Sequence, residues 1–400
     1  MLDPELFRMR ADEAFDHAVR NRRHLHRHPE LSFEERETAR YVCAELDALG
    51  VEHTPGVGGN GVVATIRGSG DHMVGLRADM DALPIRELND HGFRSENDGV
   101  MHACGHDGHT SSLLATARVL ASLGSELPGA VRLIFQPAEE RAPGGAKAMI
   151  DAGVLERPRV ERVFGQHVNT ELPAGSVGFK TGLFMASADE VYITVHGRGG
   201  HAAKPHQGAD PVVIASTLVV ALQQLVSRNA DPTVPSVLTF GRFVGDGAAN
   251  VIPDAVELAG TFRTVDESWR ESALVRLEEA ARSIASGLGG SAEVRLVRGY
   301  PAVVNDAETT RIARELAVAY LGDEHVVDLP TAMWAEDFAY FARERPSCFY
   351  NLGVRNEERG IVHGVHTPRF DLDEEALRVG SGLMAWIAVG ALERLTGDRR

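Results

Sequence analysis

The sequence predicts an α/β protein whose main domain, a mostly parallel sheet flanked by helices, is interrupted by an inserted ferredoxin-like α+β domain. Three observations carry this reading. Helix and strand patterns alternate from residue 108 to residue 164. Acidic and histidine clusters follow the strands, where open α/β sheets bind ligands. Between residues 183 and 298 the order changes to β-α-β-β-α-β.

Each element has a local cause. Apolar residues recur at helical spacing over 34–49 and Gly50 closes the run, while 62–66 and 73–76 are short β-rich runs bounded by glycine. A helix over 108–122, a strand over 131–135, a helix over 145–152 and a strand over 160–164 follow. In the inserted segment, 191–195 alternates as a strand and 210–227 reads as a long amphipathic helix. Residues 236–243 and 255–263 read as strands, 266–287 as a helix and 292–296 as a strand. The main domain then resumes, with helices over 309–321 and 374–395. The expected domains are therefore 1–182 with 299–400, and the insertion 183–298. Four hundred residues also exceed the usual size of one core.

A net charge of −16 disfavours nucleic acid and anionic membrane as partners, because phosphate binding needs a concentrated basic face. The charged N-terminus, residues 1–27, does not resemble a signal peptide, and no later stretch reads as a membrane span, so a cytoplasmic location is expected. Cys43, Cys104 and Cys348 are odd in number and far apart, as expected in a reducing compartment, and Cys43 and Cys348 read as buried packing groups.

The chemistry concentrates in two runs. Met101-His102-Ala103-Cys104-Gly105-His106-Asp107-Gly108-His109 places a thiol among imidazoles, and Gln136-Pro137-Ala138-Glu139-Glu140 supplies adjacent carboxylates after a buried strand. Thiolate, imidazole and carboxylate together suit a divalent ion such as zinc. Of two neighbouring carboxylates, one can bind the ion and one can move protons. Cys104 and His106 form a workable ligand pair, whereas His102 and His109 are left outside the ligand set. Asp81, in Asp79-Met80-Asp81, can orient a ligand histidine. His167 and His366 gain meaning only as members of this set. In the insertion, the glycine-rich loop Gly197-Arg198-Gly199-Gly200-His201 presents one imidazole, and Asn250 and Arg263 are candidates for an anionic substrate.

With these residues assembled, the chain resembles the M20 family of metallopeptidases, in its amidohydrolase branch of hippurate hydrolases, N-acyl-amino-acid deacylases and auxin-conjugate hydrolases. The resemblance spans nearly the whole chain. It includes His26-Arg27-His28-Pro29-Glu30-Leu31-Ser32, Arg77 to Pro84, both runs above, Gly199-Gly200-His201-Ala202-Ala203, Asn250-Val251-Ile252-Pro253-Asp254, Glu336-Asp337-Phe338 and His366-Thr367-Pro368. It implies two divalent ions (zinc, manganese, cobalt or nickel) held by Cys104, His106, Glu140, His167 and His366, with Glu139 as general base. It also implies a catalytic domain with a smaller lid that forms a homodimer, His201 reaching the partner's active site, and Asn250 and Arg263 on the substrate carboxylate. The reaction expected is hydrolysis of the amide of an N-acyl amino acid, with dipeptidase or carboxypeptidase activity as the alternative. Trp334 stands beside a family motif where smaller residues are common in the branch, which would reshape the acyl pocket. Two other readings rank lower: Cys104 as a nucleophile, and a noncatalytic metal-binding relative.

Overall fold

The computed structural model describes residues 3–397 and divides into two compact units. The first holds the chain up to Phe184, Val304–Pro330, and the chain from Asp337. The second holds Met185–Val303 and also Thr331–Glu336, a return that the expected bounds 183–298 do not include.

The first unit is built on an eight-stranded sheet. Its strands include β1 (His53–Val57), β2 (Gly61–Arg67), β3 (Met73–Asp79), β4 (Ala130–Gln136) and β5 (Arg162–Pro173). The spatial order is β1, β2, β4, β3, β5, then Ser347–Arg355, Val177–Phe179 and Val326–Asp328. The four central strands β4, β3, β5 and Ser347–Arg355 are mutually parallel. Every residue of β3 and β4 is buried, as expected of parallel strands covered on both faces. Ser347–Arg355, a continuous buried run that the sequence reading left unassigned, supplies the central partner of β5.

The helices include α1 (Pro4–Arg27), α2 (Arg36–Ala48), α3 (His106–Leu123) and α4 (Ala146–Asp151). Asp3 caps α1 by accepting from Glu5 N, and Pro4 occupies its first turn. The buried stripe of α1 runs Phe7, Ala11, Ala14, Ala18, Arg22, Leu25. Three alanines and a buried arginine mute its apolar signal, so charge alone stood out in the sequence. Helix Ala376–Gly397 is long and apolar enough to cross a membrane, yet 83% of its apolar window is buried inside this unit, where it packs on α1 and α3. Cys348 is fully buried, whereas Cys43, expected to be buried, is only partly covered at the edge of the core.

The second unit has the order β6 (Ser187–His196), α5 (Pro211–Leu222), β7 (Ser236–Gly245), β8 (Ala255–Thr264), α6 (Glu267–Gly287) and β9 (Ser291–Arg298). Its sheet runs β7, β8, β6, β9 with every pairing antiparallel, the ferredoxin-like arrangement. Alternate residues Val191, Ile193 and Val195 of β6 enter the core beneath α5 and α6. The helix expected over 210–227 stops at Leu222, and Leu225–Asn229 forms a separate π-helical turn.

One ion pair ties this unit together. Arg270 of α6 donates from Nε and Nη2 to the Asp189 carboxylate, both at 2.7 Å, and Asp189 is 1% exposed. Removing one partner strands a buried charge, at a cost of about 3 to 5 kcal/mol. Arg270→Ala is therefore expected to lower the thermal unfolding midpoint clearly, whereas replacing exposed Arg282 should leave it nearly unchanged.

Candidate metal centre and active site

The parallel register brings the polar clusters to one level. Asp79 pairs with Gln136 at the ends of β3 and β4, and the pairing of Arg77 with Gly165 sets Asp79 level with His167 on β5. Asn351 pairs with His167 from the next strand. Cys104 and His106 enter on the turn into α3, where Gly105 has φ +82° and a Cβ would lie 2.6 Å from Val168 Cγ2, so glycine is required. Glu139 and Glu140 follow Ala138, which adopts a left-handed φ of 54° and donates its N–H to Glu35 Oε1 at 2.7 Å. His366 also has a positive φ, 60°, and its N–H donates to Ala103 O at 2.7 Å. Positive φ at non-glycine residues is costly and persists where the surroundings enforce it.

Five of the side chains singled out from sequence converge here. Cys104 Sγ lies 3.4 Å from His167 Nε2, and Glu140 Oε1 lies 3.3 Å from His366 Nε2 and 3.8 Å from His106 Nε2. The groups Cys104, His106, His167 and Cys104, Glu140, His366 each offer ligand atoms within 4.8 Å of one another, as do His106, Glu139 and Glu140. Bonds of about 2.0 to 2.3 Å to a shared ion would produce separations of this size. Among the described residues, Nε2 of buried His106 and Oε1 of Glu140 make no hydrogen bond, and His106 Nδ1 has only Asp81 Oδ1 near it, 3.3 Å away. Orphaned donor atoms converging in this way fit a cation.

Electrostatics point the same way. Burial alone would lower the His106 pKa, but Asp79, Asp81 and Glu140 outweigh it and push it up to about 10. Burial, reinforced by Glu140, Glu139 and Asp79, holds the Cys104 thiol well above its ordinary range. Burial also lowers His167. Within the protein alone Cys104 is thus a protonated thiol beside a neutral imidazole, and a nucleophilic cysteine needs the reverse. A divalent ion supplies the positive charge that the clustered carboxylates and thiol demand.

Asp81 organises the centre. Its Oδ1 and Oδ2 accept the N–H groups of Glu139 and Glu140, each at 2.9 Å, Oδ2 accepts from Ser32 Oγ at 2.6 Å, and Oδ1 stands 3.3 Å from His106 Nδ1. His109 resembles His106 in sequence but is spoken for: Nδ1 faces Asp79 Oδ1 at 2.6 Å, and Nε2 accepts from Val168 N at 2.9 Å. His102 is buried and neutral, pushed down to about 4 mainly by burial.

Sequence reasoning assigned no role to a second buried network. Arg77 donates Nε to Gln136 Oε1 at 2.8 Å, Nη1 to Asp79, and Nη2 to Asp337 Oδ1 at 2.9 Å. Asp337 also accepts from Gln136 Nε2 and Ala146 N. On the far side Asp107 accepts from Arg22 and His26. A charge inside the buried, mostly apolar run of β3 is the signal that could have marked Arg77, because such charges must be paired, whereas Arg22 sits in the charge-rich α1 and carries no such signal.

The remaining candidates belong to the second unit. The two-residue strands Gly200–His201 and Val251–Ile252 pair, Val251 opposite His201, and Ala202 N donates to Asn250 O at 3.1 Å. His201 and Asn250 therefore sit together. The ring of exposed His201 accepts Ala203 N at Nδ1, 3.1 Å away, which leaves Nε2 as its N–H donor. Arg263 is not beside them. It pairs with Ala188 at the other end of β8, roughly 25 Å of strand from Ala255, which opens β8 opposite His196. Arg263 is half-buried, bonds Met333 O at 3.2 Å, and is lowered by burial with no opposing carboxylate. Trp334, next to Met333, is 55% exposed.

A mostly parallel α/β sheet carrying at its strand ends a cluster of thiol, imidazole and carboxylate ligands, buried at Cys104 and His106 and open to solvent at His366, defines a metal-dependent hydrolase. The chain belongs to peptidase family M20/M25/M40, whose family model matches residues 75–388. It is 42% identical to the putative amidohydrolase YhaA of Bacillus subtilis, over 94% of this chain and 95% of the relative. It is 40% identical to N-acetylcysteine deacetylase of the same organism (96% and 100% covered) and 39% identical to thermostable carboxypeptidase 1 of Saccharolobus solfataricus (94% and 96%). Among solved structures, the Bacillus subtilis YXEP protein, described as a dinuclear metal binding peptidase from the M20 family, superposes with a TM-score of 0.81 at 36% identity, covering 96% of this chain and 99% of that one.

Proposed function

We propose that this protein hydrolyses the amide bond of N-acyl amino acids, releasing a carboxylic acid and a free amino acid, with two divalent ions held by Cys104, His106, Glu140, His167 and His366. The observation that carries the reading is the convergence of those five side chains, His106 Nε2 and Glu140 Oε1 making no hydrogen bond among the described residues, with Glu139 alongside. Bound ions would supply a water of lowered pKa and polarise the scissile carbonyl; zinc, manganese, cobalt and nickel all suit this donor set.

The chain's own groups do the rest. Glu139, 6% exposed, takes the proton of the attacking water and returns it to the leaving nitrogen, which becomes basic as the amide breaks. Asp81 fixes the backbone of Glu139 and Glu140 and orients His106. His201 offers its Nε2–H to the developing oxyanion. Arg263, a half-buried cation without a carboxylate partner, suits the substrate carboxylate, and Trp334 on the adjoining segment suits an apolar acyl or side-chain group. A cytoplasmic enzyme with a reduced Cys104 fits this scheme.

His201 and Asn250 lie at the short ladder of Gly200–His201 and Val251–Ile252, before the Ala255 end of β8, and Arg263 lies near the other end of β8, so one small substrate uses both only if a second copy contributes one of them. A homodimer through the inserted unit, acting as lid, supplies this. Exposed Val212, Val213 and Val220 on α5, and Val237, Phe243 and Val244 on the edge strand β7, give it an apolar face. A mixture of His201→Ala and Glu139→Gln chains, each nearly inactive alone, is expected to regain about a quarter of wild-type activity if His201 of the partner subunit completes each site, counting one good site in every mixed dimer. No recovery after subunit exchange would place His201 in its own chain's site.

The functional test is a panel of N-acetyl and N-benzoyl amino acids beside unmodified dipeptides, assayed for released amino acid. Acylated substrates are expected to be cleaved. Cleavage confined to dipeptides would move the protein to the peptidase reading that thermostable carboxypeptidase 1 represents.

A further inference from the structure

On the first unit, the outer face of β1, β2 and β4 and the turn after α4 enclose a cavity of about 570 Å³ that shares no residue with the metal centre. Alternation along β2 builds it: Val62, Ala64 and Ile66 enter the core, while Val63, Thr65 and Arg67 face the cavity. Thr65 pairs with Arg132 of β4 and Arg67 pairs with Ala130, so the two arginines are diagonal neighbours on one face. Arg157 closes the cavity from the turn.

Three arginines and three carboxylates line the cavity, but they are paired differently. Arg132 is 7% exposed; its Nη1 holds the turn through Val154 O at 2.8 Å and Glu156 O at 3.1 Å, and its Nε has no partner. Burial lowers the Arg132 pKa first and the neighbouring Arg67 second, with no carboxylate raising it. Of the acidic residues lining the cavity, Glu156 is paired with Arg345 and Asp151 with Lys147, leaving Glu52 at the rim. Among the described residues none of Arg67, Arg132 and Arg157 takes part in an ion pair. Arg132 is buried while Arg67 and Arg157 are exposed at the cavity wall, and three guanidinium groups lining one cavity, with Glu52 the carboxylate left unpaired among the described residues, offer donors to an anion in a chain of net charge −16.

We infer that this cavity binds a phosphate-bearing small molecule, its oxyanion held by Arg67, Arg132 and Arg157 and by the hydroxyls of Thr54 and Thr65. Planar guanidinium forks match phosphate oxygens in pairs, and the volume admits more than the phosphate itself.

Titration calorimetry on the metal-loaded enzyme, with inorganic phosphate and with adenosine 5′-diphosphate at constant ionic strength, tests this. Saturable binding is expected for at least one probe, weakened about tenfold or more in Arg67→Gln/Arg157→Gln, which spares the structural Arg132. N-acyl amino acid hydrolysis without phosphate should be unchanged in that variant, which also shows that it folds. Binding of equal strength in the variant would place the anion elsewhere, the metal centre included. Absence of saturable binding to both probes would equally overturn the proposal.

Discussion

Glu139→Gln is expected to lower kcat by about 10² to 10⁴-fold while the protein keeps its fold and its bound metal, the range that loss of a positioned acid–base group commands. The amide preserves size and still fits between the turn at Ala138 and Asp81, whose contact is with the Glu139 backbone N–H. It cannot accept the proton of water. Metal content by elemental analysis, measured beside kcat, separates this from loss of a ligand. Unchanged kcat would remove Glu139 from the chemistry, whereas loss of metal would make it a ligand.

Asp81→Ala is expected to act differently, through metal affinity and stability together. The buried N–H of Glu139 would lose its acceptor, at about 1 to 3 kcal/mol, and the part-buried N–H of Glu140 would lose its acceptor at a smaller cost. Ser32 Oγ would lose its partner, and His106 its orienting carboxylate. Metal affinity should fall about 10- to 100-fold, the usual cost of removing such a partner. Excess metal should restore much of the activity of Asp81→Ala and none of that of Glu139→Gln. Failure of excess metal to restore Asp81→Ala would show that the carboxylate acts in the reaction itself.

Much of this arrangement was legible in the sequence because the chemistry is local there. Cys104 with His106, and Glu139 with Glu140, are close along the chain, and continuous apolar runs announced β3 and β4. His167 and His366 were different. Their meaning depends on β5 lying beside β3 and on a loop returning to Ala103, so the residues alone made them candidates only as part of the set, and the resemblance to a family made them ligands. His102, His106 and His109 look equivalent in the sequence; hydrogen bonds to Asp79 and Val168 set His109 apart. Asn250 and Arg263 looked like joint contacts of one carboxylate, yet Asn250 lies before the start of β8 and Arg263 near its far end, because spacing in sequence does not encode direction along a sheet. The muted signals of α1 and Arg77 have one origin: buried charges paired at long range look like surface residues until their partners are known.

The central claim is that the five-residue cluster binds catalytic metal. The most direct measurement is titration of metal-stripped protein with zinc, manganese or cobalt, following bound metal and N-acetyl amino acid hydrolysis together. Activity that is absent without metal and rises to a plateau at two ions per chain is the predicted result. Full hydrolysis by protein shown to hold no metal would contradict the account.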